Sequence, residues 1–295
     1  MDELGPTLKH RALRVFGHQH WIRRGRDWLL RLVESPDGHE SVPFEVDFFG
    51  LRYAGNLNSF VDWSVYYYGA CARCELLLLG DLARALRSAG ATRLVAADIG
   101  ANVGQHTLFL AVVADEVYSF EPYPPVLQKM REKVEVNRLE NVTICPVGLG
   151  LSDEMLEFFE PVTGNMGVGT FVKSSRLHGP ILQIRNGDAA FAEFGIPPVD
   201  LMKVDVEGFE HNVFAGLRGR LEADRPIVLS ELSDPTRSAV PSRSCFEELF
   251  PSFYNFVSVG AYSVSGRYRF EPFDYARTME FLACPAEKWD IVKRL

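Results

Sequence analysis

The 295-residue sequence predicts an α/β fold in which a mostly parallel sheet is covered by helices on both faces and ends in antiparallel strands. Two observations lead to this prediction. From about residue 76, segments with helical spacing alternate with short apolar segments, which is the pattern of a parallel sheet with crossover helices. From Phe253 to Phe270, aromatic and polar residues alternate instead, which is typical of antiparallel strands.

The predicted core elements follow one another in a regular order. A helix over Leu76–Ser88 comes first, and Thr278–Cys284 completes the prediction as an antiparallel strand. Between them, the predicted strands are Leu94–Asp98, Val117–Glu121, Val142–Val147, Asp200–Val204 and Ile227–Glu231, and the predicted helices are about Gly104–Ala114, Pro125–Asn137 and Phe209–Leu217.

The same pattern divides the chain into an extension and a main domain. Residues 1–75 are predicted to be an N-terminal extension with a basic helix and short strands near Phe44–Tyr53 and Asp62–Tyr68. Residues 76–295 form the main domain, interrupted by an insertion at about 148–199 with short β segments at Met155–Phe159, Thr170–Lys173 and Ile181–Arg185. Within the insertion, Gly164–Gly167 is either a substrate-facing loop or a simple turn.

Charge and composition exclude several classes of protein. The chain has 31 Lys and Arg against 39 Asp and Glu, a net charge of −8, which does not suit a general nucleic-acid binder. No apolar run approaches the ~18 residues that span a bilayer, and no secretory signal is visible, so we expect a cytoplasmic protein without a membrane span. The first 34 residues carry +3 and the remainder −11. That basic end predicts a solvated amphipathic helix or a surface that docks on a partner or membrane.

The five cysteines do not form the pattern of a disulfide framework, because their number is odd and their spacing irregular. Cys71 and Cys74 have the spacing of half a zinc site, but no second pair of ligands follows. The sequence therefore favours reduced thiols and predicts no metal site.

The turn after the first core strand reads Asp98-Ile-Gly100-Ala-Asn102-Val-Gly104. Ligands of open α/β sheets bind at this end of the strands, and glycines let a ligand approach the backbone closely. A nicotinamide dinucleotide site would have glycine where Asn102 stands. The carboxylate of Asp98 would repel phosphates and suits a cationic ligand such as S-adenosylmethionine.

A second acid, Glu121, ends the next strand in the sequence Phe120-Glu121-Pro122. It lies 21 residues after Gly100, about the distance at which a ribose-binding acid is expected. A carboxylate can accept hydrogen bonds from both ribose hydroxyls. Glu121 therefore predicts a ribose, whether the reaction is a methyl transfer or a hydride transfer, unless it is only a surface acid at a strand end.

The densest group of polar residues follows the fourth strand and includes Lys203, Asp205, Glu207, Glu210 and His211. Strand alternation puts Lys203 and Asp205 on the same side, and Asp205 is predicted to face the same cleft as the two acids above. The remaining acids have a simpler explanation, since negative charge is favourable at a helix N-terminus. His211 is expected on the helix surface.

These segments together resemble the FkbM-type methyltransferases. The resemblance rests on Asp98–Gly104, on Phe120-Glu121-Pro122 and on Lys203–Glu210, and it covers about Tyr66 to Glu231. Further matches are Asn137 with Asn141-Val142, Leu151-Ser152-Asp153 and Ile227–Glu231. The chain departs from the family pattern after Gly69, where Ala-Cys-Ala-Arg-Cys-Glu75 replaces Gly-x-Tyr-Glu, and at Gly187-Asp188, where Leu-Asp is common. Both departures concern the substrate side of the pocket more than the cofactor side.

The resemblance implies a class I methyltransferase Rossmann-like fold, S-adenosylmethionine as cofactor and methylation of a hydroxyl on a small natural product or sugar. An alkyl hydroxyl needs a base as the new bond forms. Our hypothesis places Asp98, Gly100 and Gly104 at the methionine end of the cofactor, Glu121 at the ribose and Asp153 or neighbouring backbone at the adenine, with Asn102 and Asp205 as further cofactor-binding residues. The implied catalytic residues are Asp205 as base, Lys203 as its orienting partner and Glu231 in the acceptor pocket.

Two other classes of function stay open on the sequence alone. An NAD-dependent oxidoreductase would share the ribose-binding acid but is disfavoured by Asn102. A non-catalytic binding or scaffold protein could retain the fold without the chemistry, and the altered segment after Gly69 is compatible with it. A magnesium ion between Asp205 and Glu231 is chemically reasonable, but no spacing requires it.

Overall fold

In the described part of the chain, four helices and a hairpin precede the main sheet. The computed structural model describes residues 5–19, 25–35, 41–160, 169–172, 177–261 and 268–295. The first elements are α1 (Leu8–Gly17), α2 (Arg26–Val33), β1 (Pro43–Phe48), β2 (Leu51–Asn56) and α3 (Phe60–Tyr68). Strands β1 and β2 pair antiparallel, in the region where short strands were predicted. The predicted basic helical start corresponds to α1 and α2.

The prediction of a strand over Asp62–Tyr68 is wrong, because this segment is the helix α3. Its aromatic and β-branched residues have the composition of a strand. They are buried around most of the helix instead: Trp63, Val65 and Tyr67 are each at most 1% exposed. A helix buried on nearly all sides loses the one-sided periodicity by which a surface helix is recognised.

The remaining helices and strands include every core element predicted above, with boundaries shifted by one to three residues in most cases, together with several short helices that were not predicted. They are α4 (Arg73–Ser88), β3 (Val95–Ile99), α5 (Gln105–Val113), β4 (Glu116–Phe120), α6 (Pro124–Val136), β5 (Val142–Cys145), β6 (Gly148–Gly150), β7 (Glu154–Glu160), β8 (Leu177–Asn186), α7 (Gly187–Glu193), β9 (Leu201–Val204), α8 (Glu210–Gly216), α9 (Arg218–Asp224), β10 (Ile227–Glu231), α10 (Asp234–Ala239), α11 (Arg243–Glu247), β11 (Tyr254–Ala261), β12 (Tyr268–Pro272), β13 (Glu280–Pro285) and α12 (Trp289–Lys293). None of these described helices combines the length and apolarity that crossing a membrane requires.

The main sheet has eight described strands in the order β12, β11, β13, β10, β9, β3, β4, β5. The five strands from β10 to β5 are parallel to their neighbours. Strands β13, β11 and β12 continue the sheet antiparallel. The predicted α/β fold with parallel core strands and antiparallel C-terminal strands is confirmed. Because β3 lies between β4 and β9, the order reverses there and leaves a cleft at the strand ends.

Alternate residues of the central strands belong to two separate apolar cores. Ala96 and Leu201 face a core shared with the N-terminal helices, α4 and α5. Their neighbours Val95 and Met202 face a second core, which Phe191 and Phe214 fill from α7 and α8. Covering on both faces explains why these strands are continuously apolar in the sequence.

Residues in the predicted insertion form a small sheet of their own. Strand β8 pairs parallel with β6 and antiparallel with β7. Of the predicted segment Thr170–Lys173, Thr170 forms an isolated bridge with Phe159, and Lys173 lies outside the described residues. The predicted loop Gly164–Gly167 also lies outside them.

The small sheet meets the second core through two glycines in direct backbone contact. A Cβ atom at Gly216, the last residue of α8, would overlap the carbonyl oxygen of Gly150 in β6. Neither side of this contact is a flexible side chain. Glycine at 216 therefore sets the distance between α8 and the small sheet.

Replacing this glycine should separate the two elements. We expect Gly216→Ala to lower the free energy of unfolding by more than ~3 kcal/mol, because overlap with backbone forces the helix away and loosens the core beneath it. Gly90→Ala is the matched control, since a Cβ there meets nothing within 4 Å. It should cost only the ~1–2 kcal/mol of a left-handed backbone. Equal losses in urea denaturation would contradict the proposed contact.

Candidate active site

A cleft opens at the carboxyl ends of β3, β4 and β9, where the strand order reverses. It encloses about 1070 Å³ of empty space, part of it continuous with solvent. The lining residues come from α3, from α4 and the segment before it, from the three strand ends, from the first turns of α5 and α6, from β7 and from residues 169–171: Phe60, Val61, Cys71, Ala72, Glu75, Gly100–Val103, Gln105, His106, Glu121–Tyr123, Val126, Phe158, Gly169, Phe171 and Asp205–Glu207. Predicted site residues Gly100, Asn102, Glu121 and Asp205 are therefore brought together.

The loop after β3 is fixed by its neighbours on both sides. The amides of Gly100 and Ala101 both donate to the carbonyl of Phe120 at 3.0 Å, and the Asp205 amide donates to the carbonyl of Ile99 at 2.9 Å. Gly100 has φ of 82°, and a Cβ there would overlap the Asp205 carbonyl oxygen. Its smallness is needed for the approach of two strand ends.

Gly104 likewise serves the fold. It does not line the cleft, and a Cβ on it would come within 2.7 Å of the Met130 side chain in α6. The prediction that Gly104 admits a ligand is thus corrected, because its smallness is explained by packing against α6 and it does not line the cleft. Gly100 does line the cleft, and so does Asn102, which has a left-handed conformation with φ of 53°.

The carboxylate of Glu121 is held by backbone on both oxygens. One oxygen accepts from the Asn102 amide and the other from the Tyr123 amide, each at 2.8 Å. Burial raises the pKa of Glu121 to about 7, against the effect of these two hydrogen bonds. Each oxygen retains a lone pair for a donor in the cleft.

Asp98 lies beneath the cleft and is absent from the lining. It is 1% exposed, and its Oδ2 accepts a hydrogen bond of 2.6 Å from the Thr107 hydroxyl, which also lies 2.9 Å from the Ser119 hydroxyl. Burial raises the pKa of Asp98, and the charges of His106 and Lys203 act in the opposite direction. Asp98 thus joins β3, β4 and α5 rather than presenting an open carboxylate.

A buried ammonium group lies beneath the cleft and contacts two of the acids that line it. Lys203 is 2% exposed, and its Nζ lies 2.9 Å from Glu75 Oε2 and 3.4 Å from Asp205 Oδ2. Burial opposes its charge, but Asp205, Glu75 and Glu280 raise the pKa of Lys203 well above its ordinary value. The predicted pairing of Lys203 with Asp205 is present, and a second partner, Glu75, was not predicted.

Glu75 and His106 are the main polar residues that the sequence argument missed. Burial acts to raise the pKa of Glu75, but Lys203 and His106 lower it far below its ordinary value. His106 Nε2 is buried and lies 3.5 Å from Glu75 Oε2. Their positions were the only signal in the sequence. Glu75 lies in the first turn of α4, where the chain departs from the family pattern, and His106 lies in the first turn of α5.

Glu231 does not appear among the described residues that line the cleft. It ends β10 and stands directly opposite Glu280 of β13. Burial and the nearby carboxylate of Asp205 raise the pKa of Glu231 to about 7, and burial together with Glu75 raises the pKa of Glu280. The two glutamates therefore share a site that favours their protonated forms.

Three other polar residues from the sequence argument lie elsewhere or have structural roles. Asp153 is exposed at the start of β7, where it accepts from the Asn186 amide at 2.7 Å and pairs with Arg185. It is not brought to the cleft. Glu210 is fully buried, accepts from the Val206 and Gly208 amides and from the Thr236 hydroxyl, and so fixes the loop after Asp205. His211 is half-buried beside Asn212.

One wall of the cleft is aromatic. The rings of Tyr123 and Phe158 stack at 4.6 Å, and Phe171 meets Phe158 edge-on at 5.3 Å. The Tyr123 hydroxyl donates to Glu160 at 2.7 Å, which keeps its polar end out of the wall. The contributions of β7 and its neighbours could not be placed from sequence, because they depend on how the small sheet folds over the strand ends.

The segment before α4 lines another part of the cleft, and the Gln105 side chain connects it to α5. The Gln105 amide donates to the Cys71 carbonyl at 3.0 Å and accepts from the Cys71 amide at 2.6 Å. Burial raises the pKa of the Cys71 thiol to about 12, so it is protonated. Within the described ranges, no three His, Cys, Asp or Glu residues are grouped as metal ligands.

Comparison with known proteins points to one family. The profile of the methyltransferase FkbM domain matches residues 98–258. The hexuronic acid methyltransferase AglP of Haloferax volcanii is 30% identical over 135 residues, covering 45% of this chain and 53% of AglP. The chain thus spans about half the length of that curated relative.

Several solved structures are also similar. The methyltransferase FkbM from Methylobacillus flagellatus has 14% identity, a TM-score of 0.43 and coverage of 68% of this chain and 47% of its own. The SAM-dependent methyltransferase from Agrobacterium tumefaciens has 11% identity and a TM-score of 0.44, and the match covers 85% of this chain and 72% of that protein. The O-methyltransferase from Bacillus cereus in complex with SAH has 12% identity and a TM-score of 0.41, covering 72% and 80%.

The Lys203–Glu75 pair can be tested by stability. We expect Lys203→Met to lower the free energy of unfolding by about 3 to 5 kcal/mol, because it leaves the Glu75 carboxylate buried without its cation. The double variant Lys203→Met/Glu75→Gln should recover most of that loss. Lys293→Met, at an exposed lysine, should change stability by less than ~0.5 kcal/mol. Equal losses in the single and double variants, measured by urea denaturation, would exclude the pair as the cause.

Proposed function

The chain belongs to the FkbM family of S-adenosylmethionine-dependent methyltransferases, and from that premise we propose that it methylates an oxygen atom of a sugar or another small hydroxylated compound. The observation that carries the proposal is the cleft at the strand reversal, where Glu121 and Asp205 face a common space. The similarity to AglP, a hexuronic acid methyltransferase, supports a sugar as the acceptor.

The chemistry of the cleft fits the cofactor. Among the described residues, its lining carries the acids Glu75, Glu121, Asp205 and Glu207, and the other titratable side chains of that lining are His106, Cys71 and Tyr123. S-adenosylmethionine has a sulfonium and an ammonium group but no phosphate, so an acidic lining attracts it. The same lining disfavours a phosphate-bearing cofactor or acceptor, which argues against a dinucleotide and against a nucleic acid.

We assign the ribose to Glu121 and the adenine to the aromatic wall. Both carboxylate oxygens of Glu121 are already oriented by the Asn102 and Tyr123 amides, so donors in the cleft meet a fixed acceptor. The Tyr123 and Phe158 rings offer a flat apolar surface of the kind on which a purine stacks. This replaces the predicted role of Asp153. Asp98 and Gly104 then act indirectly, by holding the loop that contains Gly100 and Asn102.

When bound, the cofactor supplies a methyl group made electrophilic by its positively charged sulfur. The chain must orient the acceptor hydroxyl and take its proton. Asp205 is half-exposed and lines the cleft, so its carboxylate can accept that proton. Lys203 holds one of its oxygens from below, which leaves the other free to face the acceptor. Lys203 is accordingly a positioning residue, anchored in turn by Glu75.

The ribose assignment predicts a specific loss of affinity. We expect Glu121→Ala to weaken binding of S-adenosylhomocysteine by about 10- to 100-fold in isothermal titration, because hydrogen bonds to a charged acceptor are lost. Glu121→Gln should lie between this variant and the wild type. Glu140→Ala, an exposed acid outside the cleft, should bind normally. Unchanged affinity in a folded Glu121→Ala protein would refute the assignment.

The base assignment predicts a loss of turnover with binding retained. We expect Asp205→Asn to bind S-adenosylhomocysteine but to lower the rate of its formation from S-adenosylmethionine by about 10²- to 10⁴-fold with a panel of hexoses and hexuronic acids. Asp153→Asn is the matched control and should keep wild-type turnover. If Asp205→Asn remains active while His106→Gln does not, the base is His106 and the assignment is wrong.

A further inference from the structure

The first two helices carry an unusual share of the exposed apolar surface. Of the thirteen large apolar side chains exposed in the described part of the chain, six lie on α1 and α2, with exposed fractions from 42% to 84%. These six residues, here called the α1–α2 face, are Leu8, Val15, Trp28, Leu29, Leu32 and Val33. The four on α2 have the spacing i, i+1, i+4 and i+5, so they share one side of that helix.

Contacts on the inner side of α2 fix the outward direction of this face. Leu30 is fully buried, and the Arg26 guanidinium lies 5.1 Å from the centre of the Tyr68 ring. The Tyr68 hydroxyl donates to Asp27 at 2.7 Å, and the Trp63 indole donates to the Glu34 carbonyl at 3.1 Å. The helix is therefore anchored to α3 at both ends, and its apolar side cannot turn into the core.

Helix α1 continues the face. Leu8 and Val15 are two turns apart on one side of α1. Lys9 connects the helices, since its Nζ donates to the Val33 carbonyl at 3.2 Å and pairs with Glu34 at 2.6 Å. On the inner side, Gly17 is packed so closely that a Cβ would overlap the Tyr67 carbonyl. Both helices are therefore held against α3 on their inner sides, and their apolar residues stay exposed on the outside.

Charge distinguishes two possible binding partners of the α1–α2 face, a second copy of the chain and an anionic surface. The exposed cations Lys9, Arg11 and Arg31 stand on the same two helices, and the first 34 residues carry +3 while the rest carries −11. Two copies meeting face to face would bring like charges together. An anionic surface would attract this end and repel the rest of the molecule. Trp and Leu beside Lys and Arg on short helices are the composition of segments that lie in the bilayer interface.

We propose that the α1–α2 face docks on anionic lipid bilayers as a peripheral membrane contact. This inference does not depend on the proposed reaction. Its position has a consequence for access, because the Arg31 guanidinium lies 5.3 Å from the centre of the Phe60 ring, and Phe60 lines the cleft. A docked molecule would hold the mouth of the cleft at the edge of the bilayer contact.

Vesicle co-sedimentation of the full chain tests the proposal. The probes are vesicles of phosphatidylcholine alone and vesicles of equal parts phosphatidylcholine and phosphatidylglycerol, at low and high salt. We expect binding to the mixed vesicles only, weakened by salt. Trp28→Ser/Leu32→Ser should bind about tenfold more weakly or worse, because two side chains no longer enter the interface. Arg11→Glu should also weaken binding and reduce its dependence on salt.

The matched control is Met155→Ser/Ile181→Ser, which removes two apolar side chains of similar exposure, 62% and 64%, from the small sheet. It should bind like the wild type. The proposal is overturned if the wild type binds neither vesicle, if it binds both equally, or if the control loses as much as the α2 variant. It is also overturned if sedimentation velocity shows a dimer that Trp28→Ser/Leu32→Ser dissociates, since the face would then be a contact between copies. Circular dichroism establishes that each variant is folded.

Discussion

The cleft depends on a single buried charge, the ammonium group of Lys203. It stands on the parallel strand β9 and pairs with two carboxylates, Glu75 from α4 at 2.9 Å and Asp205 from its own strand end at 3.4 Å. Burying these acids without a cation would be strongly unfavourable. With it, Glu75 stays ionised inside the protein, and Asp205 keeps part of its carboxylate exposed to the cleft.

The acids around the cleft differ in protonation because their surroundings differ. Glu75 is held ionised by its cationic neighbours, whereas Glu231 and Glu280, further from Lys203 and facing each other, have raised pKa values. Glu121 also has a raised pKa, yet it is fixed by two backbone amides. A donor from a ligand would stabilise its ionised form. Carboxylates that lie close together can therefore differ in protonation state at the same pH and so have different roles.

Features that follow from the order of strands and helices could be predicted from the sequence, whereas contacts between segments distant in sequence could not. Asp98, Glu121 and Asp205 lie at the carboxyl ends of three parallel strands, so their position at one edge of the sheet was predictable from the order of elements. The same rule could not show that Asp98 turns beneath the cleft toward Thr107. Glu75, His106 and the aromatic wall come from segments distant in sequence, and no periodicity links them. Helix α3 was mistaken for a strand because full burial removes the helical signature.

The two hydrogen bonds between Gln105 and Cys71 have a consequence for how this enzyme can evolve. The Gln105 side chain, at the start of α5, binds both backbone polar groups of Cys71 in the segment before α4. The thiol of Cys71 is itself held, because it is partly buried and hydrogen-bonded to Ser64. The path of this segment is nevertheless fixed through the Cys71 backbone and does not depend on the side chain of the next residue, Ala72. Substitution at Ala72, which also lines the cleft, would therefore change the shape of the lining while the Gln105 contacts keep the backbone in place.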